Sequence, residues 1–151
     1  MKRPVVLLTG ATGYIGSHTW LCLAAAGFQV VGVDNFVNSS PRVLDRLQAL
    51  LGTQPAFERA DVCDTSAMLA IAQRHRVDAA IHFAALKAVG ESMQRPLAYY
   101  RNNLGGVLAT CEALGNAGAK RFVFSSSATV YGQPKSLPIT EDAPLAATNP
   151  Y

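Results

Sequence analysis

Short apolar segments alternate with amphipathic segments along the chain, which predicts strands and helices in turn. Strands are predicted at residues 5–9, 29–33, 56–59, 79–83 and 121–126. Helices are predicted at residues 14–26, within 38–52, at 65–76 and at 96–116. The proline-rich remainder is expected to be irregular loop. In the second helix we expect Ser40 as the N-cap and one stripe of apolar side chains, formed by Val43, Leu44, Leu47, Leu50 and Leu51.

This alternation with short connections predicts an α/β fold, a Rossmann-like doubly wound parallel sheet with helices on both faces. Half of the 151 residues are hydrophobic and the mean hydropathy is +0.17, as expected for strands that are buried on both faces. The length fits one ordinary domain.

Composition excludes several other classes of function. The 13 Lys and Arg residues are scattered and the net charge is only +3, so no nucleic-acid partner is expected. The three cysteines form no CxxC pair, and they are expected to be buried reduced thiols of a cytoplasmic protein rather than disulfides or metal ligands. No apolar run reaches about 18 residues, so no membrane span is predicted.

A glycine-rich turn joins the first predicted strand to the first predicted helix, in the stretch "LTGATGYIGSH". Gly10 allows the tight turn, Gly13 leaves room for a pyrophosphate at the backbone, and Gly16 lets the helix pack closely on the strand. A phosphate at the helix N-terminus meets free N–H groups and the positive end of the helix dipole. The position of the triplet therefore predicts a dinucleotide site. No Gly-Lys-Ser/Thr follows, which excludes a nucleoside-triphosphate P-loop.

Two acids follow later strands and support this interpretation. Asp34 ends the second strand about 20 residues after the glycines, where a carboxylate accepts the adenosine ribose hydroxyls. Its charge repels a 2′-phosphate and no arginine comes directly after it, so NAD is predicted over NADP. Asp61 follows the third strand, where it is positioned to reach the adenine, although an acid at that place alone is more typical of an ordinary loop residue.

With these residues in view, the chain resembles the extended short-chain dehydrogenase/reductases and, within them, the UDP-glucose 4-epimerase family. The resemblance rests on "TGATGYIGSHT", "VDNFVNSS", "IHFAALKAVGES" with "YYRNN", and "FSSSATVYG" with "NPY", which span the whole chain in family order. The stretch from Leu86 to Ser92 distinguishes the epimerases from the dehydratase relatives, which carry a different sequence there.

The resemblance also implies site residues. The family's catalytic serine and tyrosine correspond to Ser127 and Tyr151, and its substrate contacts to Lys87 and Ser127. Ser126, between two matched serines, is interpreted as an ordinary loop residue. Cofactor contacts are implied for the glycine loop and for Tyr14, Ile15, Asp34, Asn35, Asn38, Ser39, Asp61, Val62, Phe83, Ala84, Ala85, Lys87, Asn102 and Ser125.

The implied reaction belongs to nucleotide-sugar and galactose metabolism. It interconverts UDP-glucose and UDP-galactose by transient oxidation at carbon 4 of the sugar, with NAD as the hydride acceptor and a tyrosine as the base. A free tyrosine has a pKa of about 10, so the family pairs it with a lysine four residues on, whose charge stabilises the phenolate.

That lysine would follow Tyr151. Residues 1–151 are therefore expected to be an incomplete NAD-binding Rossmann domain, truncated before the sixth strand, without the substrate domain and without turnover of their own. The full-length parent is expected to be a homodimer that takes a UDP-hexose. The isolated chain is expected to self-associate through exposed apolar surface. Another sugar-nucleotide epimerase or dehydratase, and a dinucleotide-binding module without turnover, stay open as alternatives.

Overall fold

The structure, a computed structural model, describes residues 3–151. Its strands are β1 Val5–Thr9, β2 Gln29–Asp34, β3 Ala56–Arg59, β4 Ala79–His82 and β5 Arg121–Phe124. Its helices are α1 Tyr14–Ala25, α2 Arg42–Leu51, α3 Thr65–His75, α4 Val89–Gln94 and α5 Pro96–Ala117, and a 3₁₀ turn follows at Ala128–Tyr131. Every predicted strand and helix is therefore present, within a few residues at each end.

The five strands form one parallel sheet in the order β3-β2-β1-β4-β5. Val5 pairs with Gln29 of β2, and Val6 pairs with Ala79 of β4. From the central strand β1 the chain first adds β2 and β3 on one side of the sheet. After β3 it crosses to the other side of β1 and adds β4 and β5. The strand order reverses between β1 and β4, and ligands of such sheets bind at the carboxyl ends of the strands beside this point. The predicted Rossmann-like fold is confirmed.

Two apolar cores cover the two faces of the sheet. On one face Leu7, Val31 and Met68 join residues of α3 and α5, and on the other face Leu8, Trp20 and Leu47 join α1 and α2. All five residues of β1 are buried, as the apolar composition of that strand predicts. The central strand is consequently held rigidly by packing on both sides, and its carboxyl end provides a fixed base for the glycine turn.

The second helix shows one confirmed prediction and one difference. The Ser40 hydroxyl accepts from the Arg42 N–H at 3.3 Å, across Pro41, so Ser40 caps the start of the helix as predicted, although the regular helix begins at Arg42. Leu50 belongs to the predicted apolar stripe but is 71% exposed. The short helix α4 was not predicted, since its sequence "VGESMQ" has no clear apolar period.

The cysteines also differ from the prediction. Within residues 3–151 Cys22, Cys63 and Cys111 are free cysteines, and all three are exposed rather than buried. The apolar segments that carry Cys22 and Cys111 are helices, and a helix with one apolar side still presents its other residues to solvent.

One side of α5 is apolar and uncovered. Its side chains Leu97, Tyr100, Leu104 and Leu108 recur every three or four residues and are between 47% and 70% exposed, and the edge strand β5 exposes Val123 and Phe124 nearby. A surface of this kind is typical of an interface. The predicted self-association stays a prediction. Among the described residues, no helix is both long enough and apolar enough to cross a bilayer.

Candidate functional site

A cavity of about 810 Å³ opens at the carboxyl ends of the strands, beside the β1–β4 reversal. It is lined by every residue predicted to contact cofactor or substrate except Asp61, and by both predicted catalytic residues. We call it the strand-end cavity. Its further lining residues, which sequence reasoning missed, are Val37, Ala60, Leu86, Ala88, Glu91, Tyr99, Ser126 and Ala128.

The glycine turn has the backbone geometry that the dinucleotide prediction requires. Gly10 has φ +64°, and a Cβ there would lie 2.8 Å from the Ala84 nitrogen, so the turn needs glycine for both conformation and space. A Cβ on Gly16 would overlap the carbonyl oxygen of Gly10. The close approach at Gly16 is thus to the turn itself, rather than to the strand as predicted.

The N-terminus of α1 fits a phosphate group. Gly13 is the N-cap residue of α1 and has no side chain to cap the helix, and among the described residues no acid lies in the first turn. The backbone N–H groups of that turn are therefore free to donate to a ligand. Tyr14 and Ile15 flank this end and are 82% and 54% exposed. A bound dinucleotide would therefore satisfy open donors and cover apolar surface with the same contacts.

Asp34 is held rigidly at the end of β2. Its Oδ2 accepts from the Thr12 N–H at 3.1 Å, and its Oδ1 accepts from the Phe36 N–H at 2.9 Å and from the Ser39 hydroxyl at 3.2 Å. Thr12, which is buried, also bonds the Ser39 hydroxyl at 2.7 Å. The network connects the glycine turn to the β2–α2 loop and fixes the orientation of the carboxylate. The sequence predicts no role for Thr12, because only the glycines on either side of it have a recognised spacing.

Asp61 lies outside the lining of the cavity. Its Oδ1 accepts from the Cys63 N–H at 2.9 Å, while its Oδ2 accepts from the Asn35 amide at 3.4 Å. Its immediate neighbour Val62 lines the cavity instead. In this structure Asp61 therefore orients Asn35 and closes a turn, and its predicted contact with adenine stays a prediction.

The serines after β5 lie at the opposite end of the cavity from Asp34. The Ser125 N–H donates to the His82 carbonyl at 3.2 Å and so continues the pairing of β4 with β5. The Ser127 hydroxyl accepts from the Thr129 N–H at 3.2 Å and bonds the Thr129 hydroxyl at 2.8 Å. Ser126, interpreted as a loop residue, also lines the cavity.

Lys87 and Tyr151 complete this end of the site. The Lys87 Nζ lies 5.5 Å from the centroid of the Tyr151 ring, within the range of a cation–π contact. Since Ser127 lines the same cavity, a hydroxyl, a phenol and an ammonium group lie at this end of the site. The sequence places these groups 64 residues apart along the chain, and the fold brings them together.

His82 lies directly beneath this end, in the last position of β4. Its Nδ1 bonds the Thr9 hydroxyl at 2.9 Å, and Phe122 and Phe124 flank its ring with centroids at 5.9 and 6.2 Å. Burial, assisted by the charge of Lys87, lowers the pKa of His82 from its usual 6.5 to about 4. The imidazole is consequently neutral at physiological pH and has a structural role.

This burial predicts a dependence of stability on pH. The unfolded chain binds a proton at His82 as the pH falls below 6.5, whereas the folded chain does so only near pH 4. The free energy of unfolding should therefore fall across this window by up to about 3 kcal/mol because of His82. Urea unfolding of the wild type and His82→Gln at pH 7, 5.5 and 4 measures it. The difference in stability between the two proteins should shift in favour of the variant as the pH falls.

Gln48→Leu, which changes an exposed side chain of α2 without a titratable group, provides the control. Its difference in stability from the wild type should stay nearly constant over the same pH range. Parallel pH profiles for the wild type and His82→Gln would contradict the assignment of the low pKa to His82.

Comparisons with known proteins agree with this geometry. Residues 6–151 match the NAD dependent epimerase/dehydratase family. The chain is 51% identical over 146 residues to the UDP-glucose 4-epimerase of Bacillus subtilis, an alignment that covers 97% of the chain and 43% of that protein. The chain thus spans less than half the length of the curated relatives it matches.

Solved structures give the same result. A UDP-glucose 4-epimerase from Stenotrophomonas maltophila with bound NAD and formylated UDP-arabinopyranose has a TM-score of 0.94 at 45% identity, covering 99% of this chain and 44% of that one. The enzyme from Bifidobacterium longum in complex with NAD⁺ and UDP has a TM-score of 0.93 at 44% identity, covering 97% and 44%. The predicted resemblance is confirmed, and so is NAD as the cofactor of this group of proteins: the chain belongs to the NAD dependent epimerase/dehydratase family.

Proposed function

We propose that the full-length protein containing these residues interconverts UDP-glucose and UDP-galactose by transient oxidation at carbon 4 of the sugar. Residues 1–151 would supply the NAD site together with Ser127 and Tyr151. The proposal goes beyond the family, whose members include both epimerases and dehydratases.

The observation that carries the proposal is the continuity of the strand-end cavity. One end holds the glycine turn and Asp34, which suit a pyrophosphate and a ribose, and the other end holds Ser127, Lys87 and Tyr151. A dinucleotide that spans the cavity would place its nicotinamide among these three side chains. The identity of about 50% to UDP-glucose 4-epimerases supports the choice of reaction.

Each residue has a defined task in this proposal. The amides at the start of α1 bind the pyrophosphate, and Asp34 accepts the ribose hydroxyls. Bound NAD supplies a reversible acceptor for the hydrogen at carbon 4. Tyr151 takes the proton of the 4-hydroxyl, and Ser127 donates a hydrogen bond to the same oxygen. Lys87, which lies over the Tyr151 ring, would contact the bound cofactor and the sugar nucleotide.

The direct test is the interconversion of UDP-glucose and UDP-galactose by the purified full-length protein. We expect both directions to proceed without added oxidant. If the protein converts only N-acetylated UDP-hexoses, it is one of the related epimerases with that substrate. If the sugar loses water, the protein is a dehydratase. A protein that binds NAD and changes no UDP-hexose would contradict the proposed activity.

Asp34 predicts a strong preference for NAD over NADP. The carboxylate should repel a 2′-phosphate. Arg59 pairs with Asp34 across β2 and β3, but its guanidinium packs over the Phe36 ring, 5.6 Å from the centroid. Titration of the full-length protein with both dinucleotides measures the preference. Because hydrogen bonds to a charged group are lost, Asp34→Ala should weaken NAD by about 10-fold or more.

Asp45→Ala is the matched control, since Asp45 is an exposed acid of α2 outside the cavity. It should leave the affinity for NAD unchanged. Equal affinity of the wild type for NAD and NADP would contradict the role of Asp34. A homodimeric state, a cytoplasmic location and a part in galactose metabolism stay predictions of the same proposal.

A further inference from the structure

The loop between β4 and α4 carries Lys87 without regular secondary structure to hold it. Residues 83–88 lie outside any strand or helix, and Lys87 itself is exposed. A lysine side chain on such a loop has many available rotamers, so its position over Tyr151 requires a fixed backbone on both sides.

Asn103 of α5 fixes the backbone just before Lys87. Its Oδ1 accepts from the Leu86 N–H at 2.8 Å, and its Nδ2 donates to the Leu86 carbonyl at 3.1 Å. One amide side chain thus satisfies both backbone groups of Leu86, as a neighbouring strand would. The arrangement defines the position and the orientation of this peptide.

Tyr99, one turn earlier on α5, fixes the backbone just after Lys87. Its Oη accepts from the Ala88 N–H at 3.1 Å and donates to Glu91 Oε2 at 2.8 Å. The residue is only 1% exposed, so the ring has no freedom to follow a moving loop. Burial and the hydrogen bond to Glu91 raise the pKa of Tyr99, which keeps its hydroxyl available as a donor.

We infer that Tyr99 and Asn103, together the α5 clamp, are positioning residues that hold Lys87 against Tyr151. Lys87 is the one residue between the two clamped backbones, Leu86 and Ala88. Asn103 Oδ1 also accepts from the Asn102 amide at 2.9 Å, and Asn102 lines the strand-end cavity. The clamp therefore orients two side chains of the site without contacting the reacting atoms. That the clamp affects catalysis rests on the proposed function. That it fixes the position of Lys87 does not depend on the proposed function.

The first test measures the placement alone. The full-length protein is treated with acetic anhydride, and the rate of acetylation at Lys87 is determined by peptide mass spectrometry. Loss of two hydrogen bonds in Asn103→Leu should free the lysine from the aromatic ring and speed its acetylation by about 10-fold. Tyr99→Phe keeps the packing and loses only the hydroxyl, so about a 3-fold increase is expected.

Matched controls are Asn116→Leu, an exposed asparagine at the end of the same helix, and Tyr131→Phe, which lies outside the cavity lining. Neither should change the acetylation of Lys87. Unchanged rates in both Asn103→Leu and Tyr99→Phe, with folded proteins by circular dichroism, would overturn the inference even if the enzyme proves to be an epimerase.

The second test asks whether the clamp acts through Lys87. In a double-mutant cycle, kcat for UDP-galactose is measured for Asn103→Leu, Lys87→Met and the double variant. If Asn103 works mainly by placing Lys87, its substitution lowers kcat about 10-fold alone and by a clearly smaller factor, due to Asn102, once Lys87 is methionine. Additive losses would show that Asn103 has a general structural role and would overturn the inference. If the wild type converts no UDP-hexose, the proposed function fails and the acetylation result alone decides on the clamp.

Discussion

Replacing Tyr151 with phenylalanine in the full-length protein is expected to reduce kcat for UDP-galactose by about 10²-fold to 10⁴-fold, the range that a positioned general base contributes. The phenylalanine keeps the ring beside Lys87 and loses only the hydroxyl that would take the proton. The affinity for NAD should change little, because the glycine turn and Asp34 bind the other end of the dinucleotide. Stopped assays of UDP-glucose formation and a separate NAD titration measure the two quantities.

Ser127→Ala should lower kcat in the same assay by a smaller factor, about 10-fold to 100-fold for one hydrogen bond to a charged oxygen. Ser127→Thr keeps a hydroxyl and should recover part of the loss. Tyr131→Phe removes a phenolic hydroxyl outside the cavity lining, and we expect nearly full activity from it. Retention of wild-type kcat by Tyr151→Phe would exclude the phenol as the base.

The second large effect is expected at Gly16. A methyl group there would overlap the Gly10 carbonyl oxygen and lie 3.0 Å from the Ala11 Cα. Both neighbours are backbone atoms of the turn, so the start of α1 has to move. We expect Gly16→Ala to lower the free energy of unfolding by about 3 kcal/mol and to weaken NAD by more than about 10-fold.

Gly115→Ala provides the control within a helix. Apart from the neighbouring backbone of α5 itself, no atom of the described residues lies within 4 Å of a Cβ built at Gly115, and alanine favours helix over glycine by about 1 kcal/mol. The same substitution should therefore stabilise the protein at one site and destabilise it at the other. Urea unfolding and NAD titration of both variants decide the matter. Equal effects of the two substitutions would show that the turn tolerates a side chain.

The parts of the site that the sequence predicts are those in which a local conformation demands a particular residue type. Gly10 adopts φ +64° in a turn that leads from strand to helix, and such a turn can be recognised from neighbouring residues alone. Asp34 ends a buried strand at a fixed distance from that turn. The element boundaries follow similarly from apolar period and from breakers such as Gly27 and Gly52, both with positive φ.

The parts that were missed depend on contacts between distant segments. Asn103 bonds the backbone of Leu86, 17 positions away in the sequence, and Tyr99 bonds that of Ala88, 11 positions away. The residues next to Asn103 and Tyr99 in the sequence do not indicate these partners. Leu50 has the helical spacing of a core residue, yet α2 has one buried residue, Leu47. Periodicity gives the side of a helix, whereas the extent of burial depends on what packs against it.

The proposed chemistry at carbon 4 is tested most directly by the fate of the hydrogen attached there. The full-length protein with bound NAD is incubated with UDP-glucose carrying deuterium at carbon 4, in ordinary water, and the UDP-galactose formed is examined by mass spectrometry and NMR. Transient oxidation beside Ser127 and Tyr151 predicts product that retains deuterium at carbon 4, and Tyr151→Phe should form that product far more slowly. Loss of the deuterium to solvent, or inversion at an undiminished rate without Tyr151, would contradict the account.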